Sequence, residues 1–468
     1  MPAIIQSNTE SIDKGNFSFN KNYVYLISSI AALGGVLFGF DLVIISGTVS
    51  FFSKHFQLNE FETGWAVGSI NLGAAIGAVI SARLSNSLGR KKLLMICALL
   101  FAVTGIGTGW AVSFPVFICF RMLSGVAVGV AALVCPMYVA EISPAPMRGK
   151  MVSFYQLSIV IGILMAYLSN YLLLNIGENN WRWMFSSQSA PALLFFAGLF
   201  FVAESPRWLI GKKRHAEAAI VLNRIGDKNY ALAEAIQIEN SYANQTKERV
   251  SDLFKKNVWP IIFMGIIVAV FSQAVGQNSL FSYAPVIFKQ AGMAEDTAFL
   301  QSIILGVINF IFTFIAIFTI DKIGRRPLLL YGAMLLCLDA AALALCFYFN
   351  APGYYTLIFV LGFIAIYAAT LGPVTWVLLS EIFPNRLRGN AMSLATLSLW
   401  IANFFTTASF PILKQQFGLH ITFVIHAAIC LLYFVFVKKR VPETKEKSLE
   451  EIEIKLVGNL KLAHPTLK

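Results

Sequence analysis

The sequence predicts an all-α membrane protein: twelve transmembrane helices forming two pseudo-symmetric six-helix bundles, joined by a cytoplasmic helical linker. Three observations carry the prediction: an apolar composition, a succession of apolar runs of membrane-spanning length, and a set of motifs that occurs twice. Of 468 residues, 57% are hydrophobic and only 13% are charged. Soluble globular chains carry about a quarter charged residues. This chain lacks the polar groups to clothe itself in water, and lipid is its solvent. The net charge of +12 does not point to nucleic acid, because the charges sit in short clusters between apolar runs, as in cytoplasmic loops. All six cysteines (Cys97, Cys119, Cys135, Cys337, Cys346, Cys430) fall inside the apolar runs and read as small apolar residues, with no metal spacing or disulfide framework.

A bilayer core needs about 20 mainly apolar residues per helix. Residues 1–22 form a polar N-tail without the layout of a cleaved signal peptide. Six spans are expected at 23–47, 61–84, 92–112, 114–140, 150–174 and 187–203. A polar linker, 204–256, separates them from spans at 257–288, 297–320, 327–349, 355–380, 390–412 and 418–437, and a C-tail covers 438–468. The bundles are thus 23–203 and 257–437. Within the linker, Lys212–Glu248 is rich in Ala, Glu, Lys and Ile and reads as one or more short amphipathic helices, either a solvated connector or a lid bracing the halves. Lysine and arginine set the orientation. The outer loops hold only Lys54, Arg182, Lys289 and Lys414, with Arg121 inside a span, which places both termini in the cytoplasm of a cell-membrane protein.

The repeat is the strongest organisational signal. Leu88-Gly89-Arg90-Lys91 after span 2 recurs as Ile323-Gly324-Arg325-Arg326 after span 8. Ala140-Glu141-Ile142-Ser143-Pro144 with Arg148-Gly149 recurs as Ser380-Glu381-Ile382-Phe383-Pro384 with Arg388-Gly389. Matched motifs at matched places indicate a duplicated transporter with its site between the halves.

From Gly34 to Glu453 the chain resembles the sugar-porter branch of the major facilitator superfamily. The resemblance rests on an ordered set: Gly34–Asp41 in span 1, Pro136–Glu141 ending span 4, Glu204–Leu209 after span 6, Gly372-Pro373 with Trp376 in span 10, and Val441–Thr444 opening the tail. It implies alternating access and a kinship with bacterial proton-coupled sugar symporters, xylose-type ones among them, and animal glucose facilitators.

Asp41 stands in a helix otherwise made of Gly, Leu, Val, Ile and Phe. An ionised, unpaired carboxylate there costs at least a few kcal/mol, so an intramembrane acid is functional by default. Arg121, the one arginine within an apolar span, is its natural partner; a purely structural ion pair is the alternative. In the symporters that this chain resembles, the two form such a pair, and the facilitators carry a neutral residue where Asp41 stands. The resemblance also places sugar-binding amides and an aromatic at Gln156, Gln273, Asn278, Asn309 and Trp376, and Phe38 of the Gly34–Asp41 run joins this set. Singly, each reads equally as an interhelical hydrogen-bonding residue; amides bridge adjacent hydroxyls and an aromatic face suits the apolar side of a sugar ring. The chain departs from the family at Ser272, Ser282 and Leu399, each lacking an amide or aromatic, and carries Gln277 where an aliphatic residue is usual. Gln277 is four residues from Gln273, hence on one face of a helix, unless Gly276 breaks it.

The clustered charges Arg90, Glu141, Arg148, Glu204 and Arg207 answer to Arg325, Glu381 and Arg388 in the second half. The resemblance makes them a cytoplasmic gate whose pairs close in the outward-facing state and break on inward opening; solvated topology determinants are the alternative. Asn86 stands where the wider superfamily has an aspartate, which Asp321 keeps in the second half. Asp339 reads as a neutral or paired residue and a rival proton site, and His426 as a packing residue. The expected function is import of a monosaccharide by proton symport, with no cofactor beyond the proton gradient, no metal and no nucleic-acid partner, by a monomer in the bilayer. Rival functions are a passive uniporter, a polyol or inositol symporter, a nutrient sensor and a drug exporter; an enzyme is disfavoured because no nucleotide loop, metal cluster or triad is present.

Overall fold

In a computed structural model of the chain, residues 17–243, 250–255, 258–384, 387–445 and 451 are described. Span 1 is α1 (Lys21–Ile44), extended by a short 3-10 turn at Ile45–Gly47 and followed by α2 (Val49–His55). Spans 2 to 5 are α3 (Glu60–Leu88), α4 (Arg90–Gly109), α5 (Phe114–Ile142) and α6 (Ala145–Leu172). The start of α3 is fixed by a capping box: Asn59 accepts from the Glu62 N–H and Glu62 accepts from the Asn59 N–H, both at 2.9 Å.

Span 6 is made of α7 (Asn180–Ser187) and α8 (Ser189–Leu199), and begins seven residues before the expected start at 187. The cause is Arg182. Its guanidinium lies 4.4 Å from the Trp181 ring centroid and donates to the Gly109 carbonyl at 2.9 Å, so a residue expected in an outer loop sits in a helical turn.

The described linker carries three short α-helices, α9 (Pro206–Gly211), α10 (His215–Ile225) and α11 (Lys228–Ala243), and a 3-10 turn at Val250–Phe254. The N-tail docks on them: Asn20 N–H donates to the Ile225 carbonyl at 2.9 Å, and Ser18 N–H to Asp227 Oδ2 at 2.7 Å. The linker, Ser18–Asn20 and Val441–Lys445 share one face, the linker face, and the opposite one is the far face.

In the second half, span 7 is split into α12 (Trp259–Ala274) and α13 (Gln277–Gln290); α14 (Glu295–Ile323) and α15 (Arg325–Tyr348) are spans 8 and 9. Span 10 is split into α16 (Gly353–Ala369) and α17 (Leu371–Ile382). Spans 11 and 12 run together as α18 (Arg388–Arg440), broken at Gly418. Large apolar side chains such as Leu194, Phe201, Phe318 and Leu432 are exposed on the outer surface, where lipid takes the place of water.

Small residues let the spans that carry the site approach backbone to backbone. A Cβ on Gly39 of α1 would meet the Ile159 carbonyl of α6, and one on Gly162 would meet the Val36 carbonyl of α1. The halves also touch near the far face. Lys414 of α18 pairs with Glu60 of α3 at 3.4 Å, and the Tyr167 hydroxyl of α6 donates to the Phe281 carbonyl of α13 at 2.8 Å.

Candidate transport site

A central cavity, part of it continuous with solvent, lies between the halves. Phe38, Gln156, Gln273, Gln277, Asn278, Asn309 and Trp376 all line it. Its mixed lining of amides and aromatics suits a small polar ligand. Gly276 builds the amide cluster. Its φ of +101° ends α12 and restarts the helix as α13, a conformation that a side chain disfavours. The break nevertheless leaves Gln277 beside Gln273: Gln277 Nε2 donates to Gln273 Oε1 at 3.0 Å, and Asn278 Nδ2 donates to the same oxygen at 2.7 Å. Gln273 Nε2 in turn reaches Ser272 Oγ at 3.2 Å. The broken helix thus gathers three amides at one point, as discontinuous membrane helices do where they line a cavity.

Some lining residues escaped sequence reasoning. Tyr367, from the end of α16, stands within hydrogen-bonding reach of the Gln273 side chain. Trp400 and Asn403 of α18 line the cavity together with Leu399. Leu399 is the position where the resemblance expects an amide; Asn403 supplies one a single helical turn later. That i, i+4 relation is visible in the sequence, but nothing there shows which face of the helix meets the cavity.

Asp41 and Arg121 do not line the cavity. They lie inside the first half, 0% and 1% exposed. Arg121 Nη1 donates to Asp41 Oδ1 at 2.7 Å, and Ser124 Oγ donates to Asp41 Oδ2. Ser124 accepts from Thr104 at 3.1 Å, and the Arg121 guanidinium stands 5.6 Å from the Phe185 ring centroid. Spans 1, 3, 4 and 6 therefore close around one ion pair. On α1, however, Phe38 and Leu42 flank Asp41 and do line the cavity. One helix thus carries both the buried carboxylate and, one turn before it and one residue after it, two residues of the cavity wall.

At the linker face the repeat takes physical form. Arg90 Nη2 pairs with Glu141 Oε1 at 2.8 Å and Arg325 Nη2 with Glu381 Oε1 at 2.9 Å. Glu204 accepts from the N–H groups of Arg90 and Lys91 at 2.9 and 3.2 Å, neutralising the start of α4. Glu443 does the same for Arg325 and Arg326, both at 3.1 Å, and so is the counterpart of Glu204 that the motif comparison left out. Ser205 and Thr444 complete the match by donating to Glu141 and Glu381. Arg148 Nε donates to the Ala140 carbonyl at 3.0 Å, Arg207 is exposed on α9, and Arg388 opens α18.

Arg90–Glu141 and Arg325–Glu381 each join residues of one half rather than one half to the other. Asn86 contributes its backbone carbonyl to Trp208 Nε1 at 3.0 Å, and Asp321 pairs with Arg325 at 3.0 Å.

Asp339 packs against Gly362 of α16, away from the cavity. His426 of α18 lies directly behind Gly276 and hydrogen-bonds the backbone of Ala274.

Two six-span halves around an amide-lined cavity, with a buried ion pair behind its wall, define a secondary transporter of the major facilitator type. The chain belongs to the sugar transporter family: the family described as sugar (and other) transporter matches residues 27–456. It is 37% identical to the D-xylose-proton symporter of Escherichia coli (strain K12), over 94% of this chain and 96% of that protein. It is 38% identical to the arabinose-proton symporter of Bacillus subtilis (strain 168), over 93% of this chain and 96% of that protein. The solved inward open conformation of the E. coli xylose transporter matches with a TM-score of 0.84 and 36% identity, covering 92% of this chain and all of that one.

Proposed function

We propose that this protein imports a monosaccharide by proton symport, with halves 23–203 and 257–437 alternating access to the central cavity and linker 204–256 bracing them. The observation that carries the reading is the buried Asp41–Arg121 pair, whose carboxylate sits on the same helix as Phe38 and Leu42, which line the cavity. The named symport activities of the relatives agree with it. The placement of Lys and Arg supports cytoplasmic termini in the cell membrane.

The chemistry follows from charge. Ionised Asp41 holds Arg121 by a charge-assisted bond in a dry site, where such a bond is strong. Protonation removes the attraction and frees α1 to shift against α5. Because Phe38 rides on α1, that shift reshapes the sugar side of the cavity. Sugar binding and protonation then favour the same arrangement, and reciprocal linkage makes each raise the affinity for the other. Gln156, Gln273, Gln277, Asn278 and Asn309 bridge sugar hydroxyls while Phe38 and Trp376 cover the apolar ring face. Arg90, Glu141, Arg148, Glu204 and Arg207, with Arg325, Glu381 and Arg388, stiffen the cytoplasmic ends so that each half moves as one body.

Purified protein in liposomes tests this reading directly. Labelled pentoses and hexoses are offered with an imposed inward proton gradient and after its collapse by a protonophore. Accumulation above the outside concentration is expected only with the gradient. Uptake that merely equilibrates, and is indifferent to the gradient, would make the protein a passive uniporter.

A further inference from the structure

The main cavity continues toward the far face into a much smaller compartment. It shares Asn278, Phe281 and Asn403 with the main cavity and adds Asn71, Ser282 and Thr407. A hydrogen-bond chain across the two halves orients its amides. Thr407 Oγ1 donates to the Asn403 carbonyl at 2.8 Å, which leaves the Thr407 hydroxyl oxygen to accept from Asn71 Nδ2 at 3.1 Å. Asn71 Oδ1 must then face Asn403 Nδ2, and accepts from it at 2.9 Å. The chain fixes which way the Asn403 amide points. Its Oδ1 is buried without a protein hydrogen-bond partner, on a side chain 1% exposed overall. A buried amide oxygen without a partner is costly and calls for one.

We infer that Asn403 Oδ1 accepts a hydrogen bond from the exocyclic hydroxymethyl group of the sugar, held in this compartment while the ring occupies the main cavity. Asn71 is the positioning residue: it engages the Asn403 donor and turns the acceptor toward the ligand. The compartment is much smaller than the main cavity and adjoins it, so it suits a one-carbon arm rather than a second ring. A hexopyranose carries such an arm ending in a hydroxyl; a pentopyranose has none, and a 6-deoxy sugar has the arm without the hydroxyl. The protein therefore selects hexoses with a free 6-hydroxyl. Because Asn71 and Asn403 belong to opposite halves, occupation of the compartment also bears on the contact that holds the halves together. The inference rests on the sugar-transport reading above.

The test is competition binding to the purified wild type by D-glucose against 6-deoxy-D-glucose and D-xylose, and by D-galactose against D-fucose and L-arabinose. One hydrogen bond to a buried acceptor corresponds to about a tenfold preference. At least one hexose is expected to bind about tenfold tighter than its 6-deoxy and pentose counterparts. In Asn403→Leu the ratio is expected to fall to about one, because hexose affinity drops; in Asn71→Ala it is expected to fall part of the way. Equal binding of hexose and 6-deoxy sugar by the wild type overturns this inference alone, whether or not the variants fold. Absence of binding by all six sugars overturns the sugar reading and this inference with it.

Discussion

Phe38 of span 1 and Trp400 of span 11 face each other across the cavity with ring centroids 5.9 Å apart and ring planes tilted by 55°. They belong to opposite halves, so this is an aromatic contact at the cavity that rocking of the halves must disturb. Phe38 lies one helical turn before Asp41, and Trp400 one turn before Asn403. The contact joins the helix that carries the proton site to the helix that carries the far-side amides.

Removing either ring is therefore expected to affect affinity before turnover. Aromatic contacts contribute about 0.5–1.5 kcal/mol beyond their buried area, so Trp400→Ala and Phe38→Ala are each expected to weaken sugar binding about three- to tenfold or more. Isothermal titration on the two variants reads this out. The double variant is expected to lose less than the sum, because the partners share one contact.

Asp41→Asn keeps the shape of the carboxylate and removes its charge. Equilibrium exchange of labelled sugar is expected to persist in this variant, while accumulation against a gradient disappears. Counterflow and gradient-driven uptake, measured on the same liposome preparation, separate the two activities. Accumulation by the variant would falsify the coupling role.

Gly276→Ala tests the break in span 7. Left-handed backbone costs a non-glycine residue about 1–2 kcal/mol, and here the new methyl also runs into the His426 ring. The expected result is a lower melting temperature and weakened sugar binding, since Gln273, Gln277 and Asn278 are placed by this break. His426→Ala in the same chain relieves the contact but not the backbone strain. Partial recovery of thermal stability, without full recovery of binding, is the outcome expected for the double variant.

How much of this was legible beforehand depended on the kind of signal. Hydrophobic length located the spans because lipid imposes it on each helix separately, and α3, α5 and α14 fall within a few residues of expectation. Span 6 was misplaced because Arg182 looks like a loop charge until its cation–π and carbonyl partners are seen. The cavity amides were legible only through the family resemblance; in isolation an asparagine in an apolar helix announces polarity, not direction. Asn71 and Asn403 show the limit clearly. They are separated by 332 residues, and their partnership depends on how two halves dock, which no local pattern encodes. Glu443 was legible in the repeat's own spacing: Thr444 follows Glu381 by 63 residues as Ser205 follows Glu141 by 64, so Glu204-Ser205 recurs as Glu443-Thr444.

The last prediction concerns the N-tail clamp on the linker. Asp227 accepts backbone N–H bonds from Ser18 at 2.7 Å and Tyr230 at 2.8 Å, and these donors hold its carboxyl below the ordinary value of 3.8. A carboxyl whose pKa is depressed by folding contributes stability that is present above its ordinary value. That contribution is lost as the pH falls through the lower, folded value. The clamp at residues 18–20 is therefore expected to stay closed at every pH above about 4 and to loosen only in stronger acid. Asp227→Ala removes the acceptor and is expected to open it at neutral pH. Amide hydrogen exchange at residues 18–20, compared between wild type and variant near neutral pH, checks this. Equal protection in the two proteins would show that the Asn20–Ile225 and Asp227–Ser18 backbone bonds hold the tail without the carboxylate.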